Sequence, residues 1–444
     1  MINLLDEKEN KNIQNKLAFE EILKFYSNDK KDFLIGLEYE RLSLDKNTFK
    51  NTEYEKIEKI ITHFASTLNW ELIYDDKTII GAKSGDGSSI SLEPGCQLEI
   101  SLAPKKDILS IELELNKLTN LLDKIASFYD VIFLGYGISP VSRPDEIKLL
   151  DKKRYQVMNN YLPSCQYGEL IPKMMRQSAG MQVNIDYKNE NDAFLKLKLF
   201  NLISPFMTAL FANSPLENNT LTDKKTIRAH VWRFCGKNRC NLFYKNVFEG
   251  LFAHKNIFKN YIRNILEVPM IFIERENKII EINGKITFRE FLKNGFDGYL
   301  ATYNDYILHQ SLCFPDVRLK KYIEIRNHDS SDIKTALSLC ALYKGICQGN
   351  IKKLLSKIDF LKINNIDLYS ENIVTQGLDI EINSKIKGWD VIAILFNFAK
   401  ENLNSKERSY LEPILSMLKT RKTKADIIMD YEIKKAKDLV EFLY

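Results

Sequence analysis

Four short segments each carry a pair of polar side chains within an otherwise apolar, strand-like stretch. The pairs are Glu38/Glu40, Glu93/Glu99, Gln182/Asn184 and Glu324/Arg326. Three pairs have the two-residue spacing that puts both side chains on one face of a strand. The other pair brackets a Pro94-Gly95 turn, which would bring both carboxylates to one side of a hairpin. One shared polar face explains the four pairs better than four unrelated strands.

Paired carboxylates on such a face indicate a site for a hard cation. Neighbouring carboxylates repel each other and are costly unless a cation lies between them. Carboxylate and amide oxygens bind Mg²⁺, which often keeps substrate phosphates as further ligands. For each pair alone an ordinary alternative stays open, namely a solvated edge strand, a polar sheet face, or a same-face ion pair of little energetic weight.

The sequence lacks the usual signatures of other chemistries. It contains no GxxxxGK[ST], GxGxxG, GxSxG or CxxC motif, and Gly81–Gly87 precedes a strand, so we interpret it as a hairpin turn. His230 and His328 have no metal-ligand partner at helical spacing and are interpreted as packed residues. The remaining candidates for binding anions are Arg176, Arg228, Arg239 and Arg318.

Composition predicts an ordinary globular protein. Of 444 residues, 45% are hydrophobic, and 64 Lys and Arg against 59 Asp and Glu give a net charge of +5, too weak to indicate a nucleic-acid partner. Seven irregularly spaced cysteines indicate reduced, mostly buried thiols. Residues 1–16 have no apolar segment typical of a signal or transit peptide, and no apolar run reaches the ~20 residues of a membrane span. We therefore expect a cytoplasmic protein without a membrane partner.

Strand and helix patterns alternate along the chain, as in an α+β fold with a largely antiparallel sheet. We predict strands at 32–44, 70–74, 77–83, 131–138, 180–186 and 320–327, and hairpins within 88–103 and 268–282. We predict helices at 10–26, 52–68, 106–126, 152–161, from 287, and at 193–212 with a kink or break at Pro205. Residues 332–444 read as almost wholly helical. We predict one catalytic domain over 1–444, with an N-terminal helix within 1–32 and a helical C-terminal layer over 332–444.

Several sequence blocks resemble glutamate–cysteine ligases of the plant and proteobacterial branch. Gly36-Leu-Glu-Tyr-Glu40 resembles their G-x-E-x-E strand, and Ser89–Gly95 with Gln97 and Glu99 is similar to their S-I-S-L-E-P-G-G-Q-x-E-L-S signature. Further similar blocks follow in the same order: Arg154-Tyr155 with Met158, Tyr161 and Pro163, then Gln182–Asp186, Ala212–Pro215, Arg228–Trp232, Phe314–Arg326 and the terminal Phe442-Leu-Tyr.

The resemblance implies an ATP-dependent carboxylate–amine ligase with a glutamine-synthetase-like sheet, concave around the active site and with helices packed outside. It would join L-glutamate to L-cysteine through γ-glutamyl phosphate, giving γ-glutamylcysteine for glutathione biosynthesis, as a monomer or homodimer. Two or more Mg²⁺ ions would be bound by Glu38, Glu40, Glu93, Glu99 and Glu324. Gln182 and Asn184 would line the metal and nucleotide site. Arg228, Arg239 and Arg326 would be catalytic and hold phosphate or the glutamate carboxylate, with Arg176 in the same cluster.

Two departures from the family pattern leave alternatives open. Cys96 replaces the second glycine of the turn, so that turn must avoid a positive φ or be strained. Arg233–Asn241 keeps only Arg239 of the family's T-D-x-x-R-T-G segment, which puts the acceptor amine in question. The alternatives are a glutamate ligase for another amine, a guanidino-type phosphotransferase, or a nucleotide-binding regulator without turnover.

Overall fold

A computed structural model describes residues 19–27, 30, 32–165, 168–234, 237–240, 252, 256–276, 278–361 and 366–443. The predicted first helix is described only as Phe19–Tyr26, and residues 10–18 lie outside the described residues, as does Tyr444 of the terminal block. Residues 235, 236 and 241 of the departing segment Arg233–Asn241 also lie outside them.

Within the described residues, nine strands form one sheet in which every pairing is antiparallel. The strands run in the order β12-β13-β7-β1-β5-β4-β3-β2, and β6 pairs with the far half of β1. The members are β1 (Ile35–Asp45), β2 (Glu71–Asp75), β3 (Thr78–Lys83), β4 (Ser89–Leu92), β5 (Leu98–Ser101), β6 (Val131–Leu134), β7 (Gly180–Ile185), β12 (Val317–Leu319) and β13 (Ile323–Asp329). The predicted α+β class with a largely antiparallel sheet is confirmed.

Three small hairpins lie outside the main sheet. They are β8 (Leu216–Glu217) with β9 (Thr220–Leu221), β10 (Phe272–Arg275) with β11 (Lys278–Glu281), and β14 (Glu381–Asn383) with β15 (Ile386–Lys387). The first lies in a stretch for which we predicted no strand. The last corrects the prediction of an almost wholly helical C-terminal part, where two very short strands leave too little alternation to detect.

Helices cover the apolar side of the sheet and form the C-terminal layer. They are α1 (Phe19–Tyr26), α2 (Tyr54–Leu68), α3 (Ile108–Ser127), α4 (Lys153–Tyr161), α5 (Ile171–Gln177), α6 (Glu190–Leu210), α7 (Ile227–Phe234), α8 (Lys237–Cys240), α9 (Ile257–Leu266), α10 (Phe288–Asn294), α11 (Tyr303–Ser311), α12 (Ile333–Gln348), α13 (Ile351–Lys357), α14 (Ile366–Gln376), α15 (Gly388–Asn402), α16 (Glu412–Thr420), α17 (Lys424–Asp430) and α18 (Ala436–Leu443). The helix α12 packs against β7, β1 and α3.

Two boundaries differ from the predictions for steric reasons. The helix α6 continues through Pro205 without the predicted break, and Pro205 is buried within it. The strand predicted at 131–138 ends at Leu134, because the chain then passes close to another segment. A Cβ at Gly135 would lie 2.1 Å from the backbone oxygen of Ser331, an approach that only glycine permits.

One helix in the described part of the chain, α6, is long and apolar enough to cross a membrane by length and composition alone. Within the protein, however, 83% of its apolar window is buried. The helix therefore serves as a core element here, and its composition follows from packing on all sides.

Candidate active site

Strand pairing brings the predicted polar pairs onto one face of the sheet. In the antiparallel registers Glu40 lies opposite Glu99, Glu38 lies opposite Gln182, and Asn184 lies opposite Glu324. Directly opposed residues point to the same face, so the pairs form adjacent rows. The alternate residues are buried on the other face: Leu37, Tyr39, Leu98, Ile100, Met181, Val183, Ile323 and Ile325.

The central acids accept hydrogen bonds from neighbours on the same face. Asn184 donates to Glu38 at 2.9 Å, and Ser101 donates to Glu99 at 2.6 Å. Glu40 accepts from Gln182 at 2.8 Å and from the backbone N–H of Gly180 at 2.5 Å. These bonds fix the carboxylates in place without neutralising them, because none of the donors carries a charge.

Burial and mutual repulsion make the central acids hard to ionise. Burial, with added repulsion from Glu99 and Glu324, raises the pKa of Glu38 to about 7. Burial and the charge of Glu93 raise the pKa of Glu40 to about 8, and the same two causes raise that of Glu99. Such shifts are typical of carboxylates assembled without their counter-charge and mark functional sites.

Glu324 differs from the other acids on this face because cations already surround it. Its oxygens contact Arg318 at 2.6 Å, Lys320 at 2.6 Å and Arg326 at 3.2 Å. Burial opposes its ionisation, but these three cations outweigh burial and hold its pKa well below the ordinary value. The geometry therefore does not favour the predicted metal role for Glu324, which instead anchors three basic side chains.

Gln182 connects the carboxylates to the basic side chains. Its amide nitrogen donates to Glu40 at 2.8 Å, and its amide oxygen accepts from Arg326 at 2.7 Å. Both ends of the amide are thus used, so its orientation is set by an acid on one side and a guanidinium on the other. Gln182 therefore lies between an acidic and a basic side chain, and both polar atoms of its amide already have hydrogen-bond partners.

Two of the predicted arginines meet at a cavity next to Gln182. Arg228 donates to the backbone oxygen of Arg326 at 3.0 Å, and both guanidinium carbons lie within 6 Å of the ring of Trp232, at 5.7 and 5.9 Å. Further cavity walls are Thr208, Phe314, Asp316 and Asn327. A Cβ at Gly180 would lie 2.5 Å from the Arg228 guanidinium, so that glycine makes room for it.

Arg176 and Arg239, the other two arginines predicted to bind anions with this group, make their hydrogen bonds with other segments of the chain. Arg176 donates to the backbone oxygen of Pro144 at 3.0 Å and to Asn159 at 2.8 Å. Arg239 donates to the backbone oxygens of Leu312, at 3.1 Å, and Pro269. Both guanidinium groups therefore connect separate segments of the chain by donating hydrogen bonds to backbone carbonyl oxygens, and Arg176 donates also to a side-chain amide oxygen.

A buried aspartate that the sequence analysis missed holds the Arg228 segment. Asp329 accepts from the backbone of Asn213 at 2.9 Å, from Ser214 at 2.6 Å and from Thr226 at 3.0 Å. Burial raises its pKa. The signal that could have found it is its position on the same strand as Glu324, five residues further along.

Of the two possibilities for the hairpin turn next to Glu93, the structure shows the one with a positive φ at Cys96. Cys96 has φ +62°, and its N–H donates to the backbone oxygen of Glu93 at 2.9 Å, as in a three-residue hairpin loop with a left-handed last residue. Gly95 packs so closely on α5 that a Cβ would lie 2.2 Å from the backbone oxygen of Arg176. Gln97 holds the turn by donating to the backbone oxygen of Ser178 at 2.9 Å.

Comparison with known proteins shows the family to which the chain belongs. The family model described as Glutamate-cysteine ligase family 2 (GCS2) matches residues 34–364. The chain belongs to glutamate–cysteine ligase family 2. The resemblance drawn from the sequence blocks is thereby confirmed.

Individual members of the family show the extent of the similarity. The chloroplastic glutamate–cysteine ligase of Arabidopsis thaliana is 34% identical over 71% of this chain and 60% of its own length. That of Nicotiana tabacum is 30% identical over 90% of this chain and 76% of its own. This chain thus spans about 60% of the length of the Arabidopsis relative. A solved glutamate–cysteine ligase from Francisella tularensis in complex with AMP has the same fold, with a TM-score of 0.54 and 13% identity over 91% of this chain and 86% of its own.

The predicted cytoplasmic location is wrong by this comparison. The relatives from Arabidopsis thaliana, Nicotiana tabacum and Medicago truncatula are all described as chloroplastic proteins. Composition and motif content, on which the prediction rested, do not determine the compartment of this family.

The polar face offers carboxylate and amide oxygens, which are the types of ligand atom that a hard divalent cation prefers. Among the described residues no three His, Cys, Asp or Glu side chains converge as a ready metal site. The side-chain oxygen of Asn184 is nevertheless buried without a hydrogen-bond partner, beside carboxylates whose pKa values are raised by burial and by one another's charge. Oxygen donors of this type are those that Mg²⁺ takes.

Proposed function

We propose that the protein is a glutamate–cysteine ligase that uses ATP and Mg²⁺. It joins the γ-carboxylate of L-glutamate to the amine of L-cysteine and forms γ-glutamylcysteine, the first step of glutathione biosynthesis. Family membership supports this activity. The observation that carries it is the row of carboxylates at Glu38, Glu40 and Glu99, whose pKa values are raised by burial and by neighbouring carboxylates, set beside the arginine-lined cavity.

We assign the metal role to Glu38, Glu40, Glu93 and Glu99, with Glu324 holding basic side chains instead. The bound ions would neutralise the negative charge of the phosphates and of the substrate carboxylate. The unpartnered oxygen of Asn184 is a further donor on the same face.

We assign the cavity between Arg228, Arg326 and Trp232 to L-glutamate. Two guanidinium groups beside an aromatic wall suit a small anionic amino acid. Held there, the γ-carboxylate attacks the γ-phosphate of ATP, which gives γ-glutamyl phosphate and ADP. The cysteine amine then attacks the acyl carbon and expels phosphate. Catalysis comes from positioning and charge stabilisation, with no covalent enzyme intermediate.

The test is a direct product assay on the purified full-length chain. With L-glutamate, L-cysteine and Mg·ATP we expect γ-glutamylcysteine by mass spectrometry and stoichiometric ADP. Glu93→Gln should abolish turnover and leave the circular dichroism spectrum unchanged, whereas Glu371→Gln, at an exposed helix position, should keep wild-type activity. Absence of the dipeptide from the wild-type reaction would refute the proposal.

One observation favours a second candidate, a glutamate ligase for a different amine. The segment Arg233–Asn241 departs from the family pattern, and Arg233 and Cys240 both line the cavity. A panel of amines offered with glutamate and Mg·ATP separates the two candidates. Preference for cysteine by kcat/KM supports the first, and preference for another amine supports the second.

A further inference from the structure

Two cations lie together against one aromatic ring, outside the groups considered so far. The ammonium nitrogen of Lys152 is 4.8 Å from the ring centre of Tyr155, and the guanidinium carbon of Arg154 is 6.0 Å from it. Neither side chain makes a salt bridge with any residue in the described parts of the chain, and the Nε of Arg154 is buried without a hydrogen-bond partner.

The backbone places these cations next to the carboxylates. The hydroxyl of Tyr155 donates to the backbone oxygen of Leu92 at 3.3 Å, and the backbone N–H of Leu150 donates to that of Pro94 at 2.8 Å. The two bonds attach the segment on either side of Glu93. Burial and Arg154 lower the pKa of Lys152, while the charges of Glu93, Asp75 and Glu99 act in the opposite direction.

Two buried arginines elsewhere in the described residues each have a carboxylate partner, unlike this pair. Arg41 is bound to Asp123 at 2.8 Å, and Arg318 to Glu324 at 2.6 Å. The carboxylate of Asp75, near the pair, instead accepts the backbone N–H of Lys153 at 3.1 Å. Two like charges beside one ring repel each other, and a bound polyanion would offset that repulsion.

We propose that Lys152 and Arg154 bind the terminal phosphates of ATP. The phosphates would lie between these cations and the Glu93–Glu99 carboxylates, where Mg²⁺ is expected. The amino-acid cavity with Arg228 and Arg326 would stay free for glutamate. This inference rests on the proposed function, because ATP is its substrate.

The experiment measures binding of Mg·ATP by calorimetry, without amino acids, to the wild type and to Lys152→Gln and Arg154→Gln. Each variant should lose on the order of tenfold in ATP affinity, since a charge-assisted hydrogen bond to phosphate is lost. Affinity for AMP, which lacks the terminal phosphates, should change less than twofold, and so should the KM for glutamate. Lys153→Gln is the matched control, because Lys153 is the exposed neighbour on the same helix.

A second measurement needs only the wild type. Mg·ATP should protect Lys152, but not Lys153, from an amine-acylating reagent detected by mass spectrometry. Unchanged ATP affinity in the folded variants, an equal loss for AMP, or absence of protection would overturn the assignment. If the wild type binds Mg·ATP and shows these effects but makes no γ-glutamylcysteine, the proposed function fails and the phosphate site stands. If the wild type is active and the variants bind ATP normally, the phosphate site fails alone.

Discussion

Replacing Glu40 with glutamine should change how the stability of the metal-free protein depends on pH. The ordinary carboxyl pKa of 4.5 is raised to about 8 in the folded protein. Between these values the folded state binds more protons than the unfolded state, so the free energy of unfolding falls as pH rises. The contribution is complete below pH 4.5 and is lost as pH passes through the folded pKa. Glutamine has no charge to bury and removes this dependence.

The magnitude follows from the two pKa values. One group held protonated in the folded state lowers stability by about 1.4 kcal/mol per pH unit within the window. By pH 7.5, three pH units above the ordinary value, the cost of leaving Glu40 buried is about 4 kcal/mol. The variant loses one of the two hydrogen bonds from Gly180 and Gln182, about 1 kcal/mol. Without metal, Glu40→Gln should therefore be about 3 kcal/mol more stable than wild type at pH 7.5 and similar to it near pH 5.

The assay is urea unfolding at pH 5.5, 6.5 and 7.5 in the presence of a chelator. The wild-type and Glu40→Gln values should diverge with rising pH, while Glu371→Gln, at an exposed position, should follow the wild type. Added Mg²⁺ at pH 7.5 should stabilise the wild type more than Glu40→Gln. Parallel pH profiles for wild type and Glu40→Gln would show that the carboxylate carries no burial penalty, and the reasoning on the metal site would then fail.

Two further predictions concern the parts of the fold that support the site. Gly95→Ala should cost about 2–4 kcal/mol in urea unfolding, because its Cβ would lie 2.2 Å from the backbone oxygen of Arg176, while Gly85→Ala, with nothing within 4 Å, should be nearly neutral. Glu407→Ala should cost about 3–5 kcal/mol by the same measurement, because it leaves Lys344, its buried partner at 2.5 Å, without a counter-charge. A loss below 1 kcal/mol in either case would contradict the packing described.

The polar face was predictable because it depends only on local rules. Alternation along a strand put Glu38 with Glu40 and Gln182 with Asn184, whichever strands they paired with. The Pro94-Gly95 turn gave the hairpin that returns Glu99 to the same side. Pairing order and register were not predictable from one sequence, and they are what place Glu40 opposite Glu99.

The roles of the arginines were less predictable, because the hydrogen-bond partners of a long side chain can lie far away in the sequence. Arg176 and Arg239 meet carbonyl oxygens 32 and 73 residues away in the chain, at Pro144 and Leu312. The metal role of Glu324 was implied by the family resemblance, and two of the cations that contact it, Arg318 and Lys320, were not anticipated as its partners. Arg318 lies on the unpredicted strand β12, directly opposite Glu324.

Cys96 occupies a position where the family motif has glycine, and it adopts a positive φ all the same. The sequence left two possibilities open, a turn without positive φ or a strained one, and φ is +62°. The left-handed conformation costs a residue with a Cβ on the order of 1 kcal/mol. Burial of the thiol on the core side offsets part of that cost, and it also raises the thiol pKa to about 12. A glycine turn is therefore not required for the hairpin to present Glu93.

The distribution of charge across the sheet fits the proposed reaction between two anionic substrates. The carboxylates of Glu40, Glu93 and Glu99 interact strongly with one another. On one side they face Lys152, and on the other Gln182 connects Glu40 to Arg326. An anion attracted from each side would converge on the same acids, which tolerate that approach only with cations bound between them. Such convergence is what transfer of a phosphoryl group to a carboxylate requires, because both reactants are negatively charged.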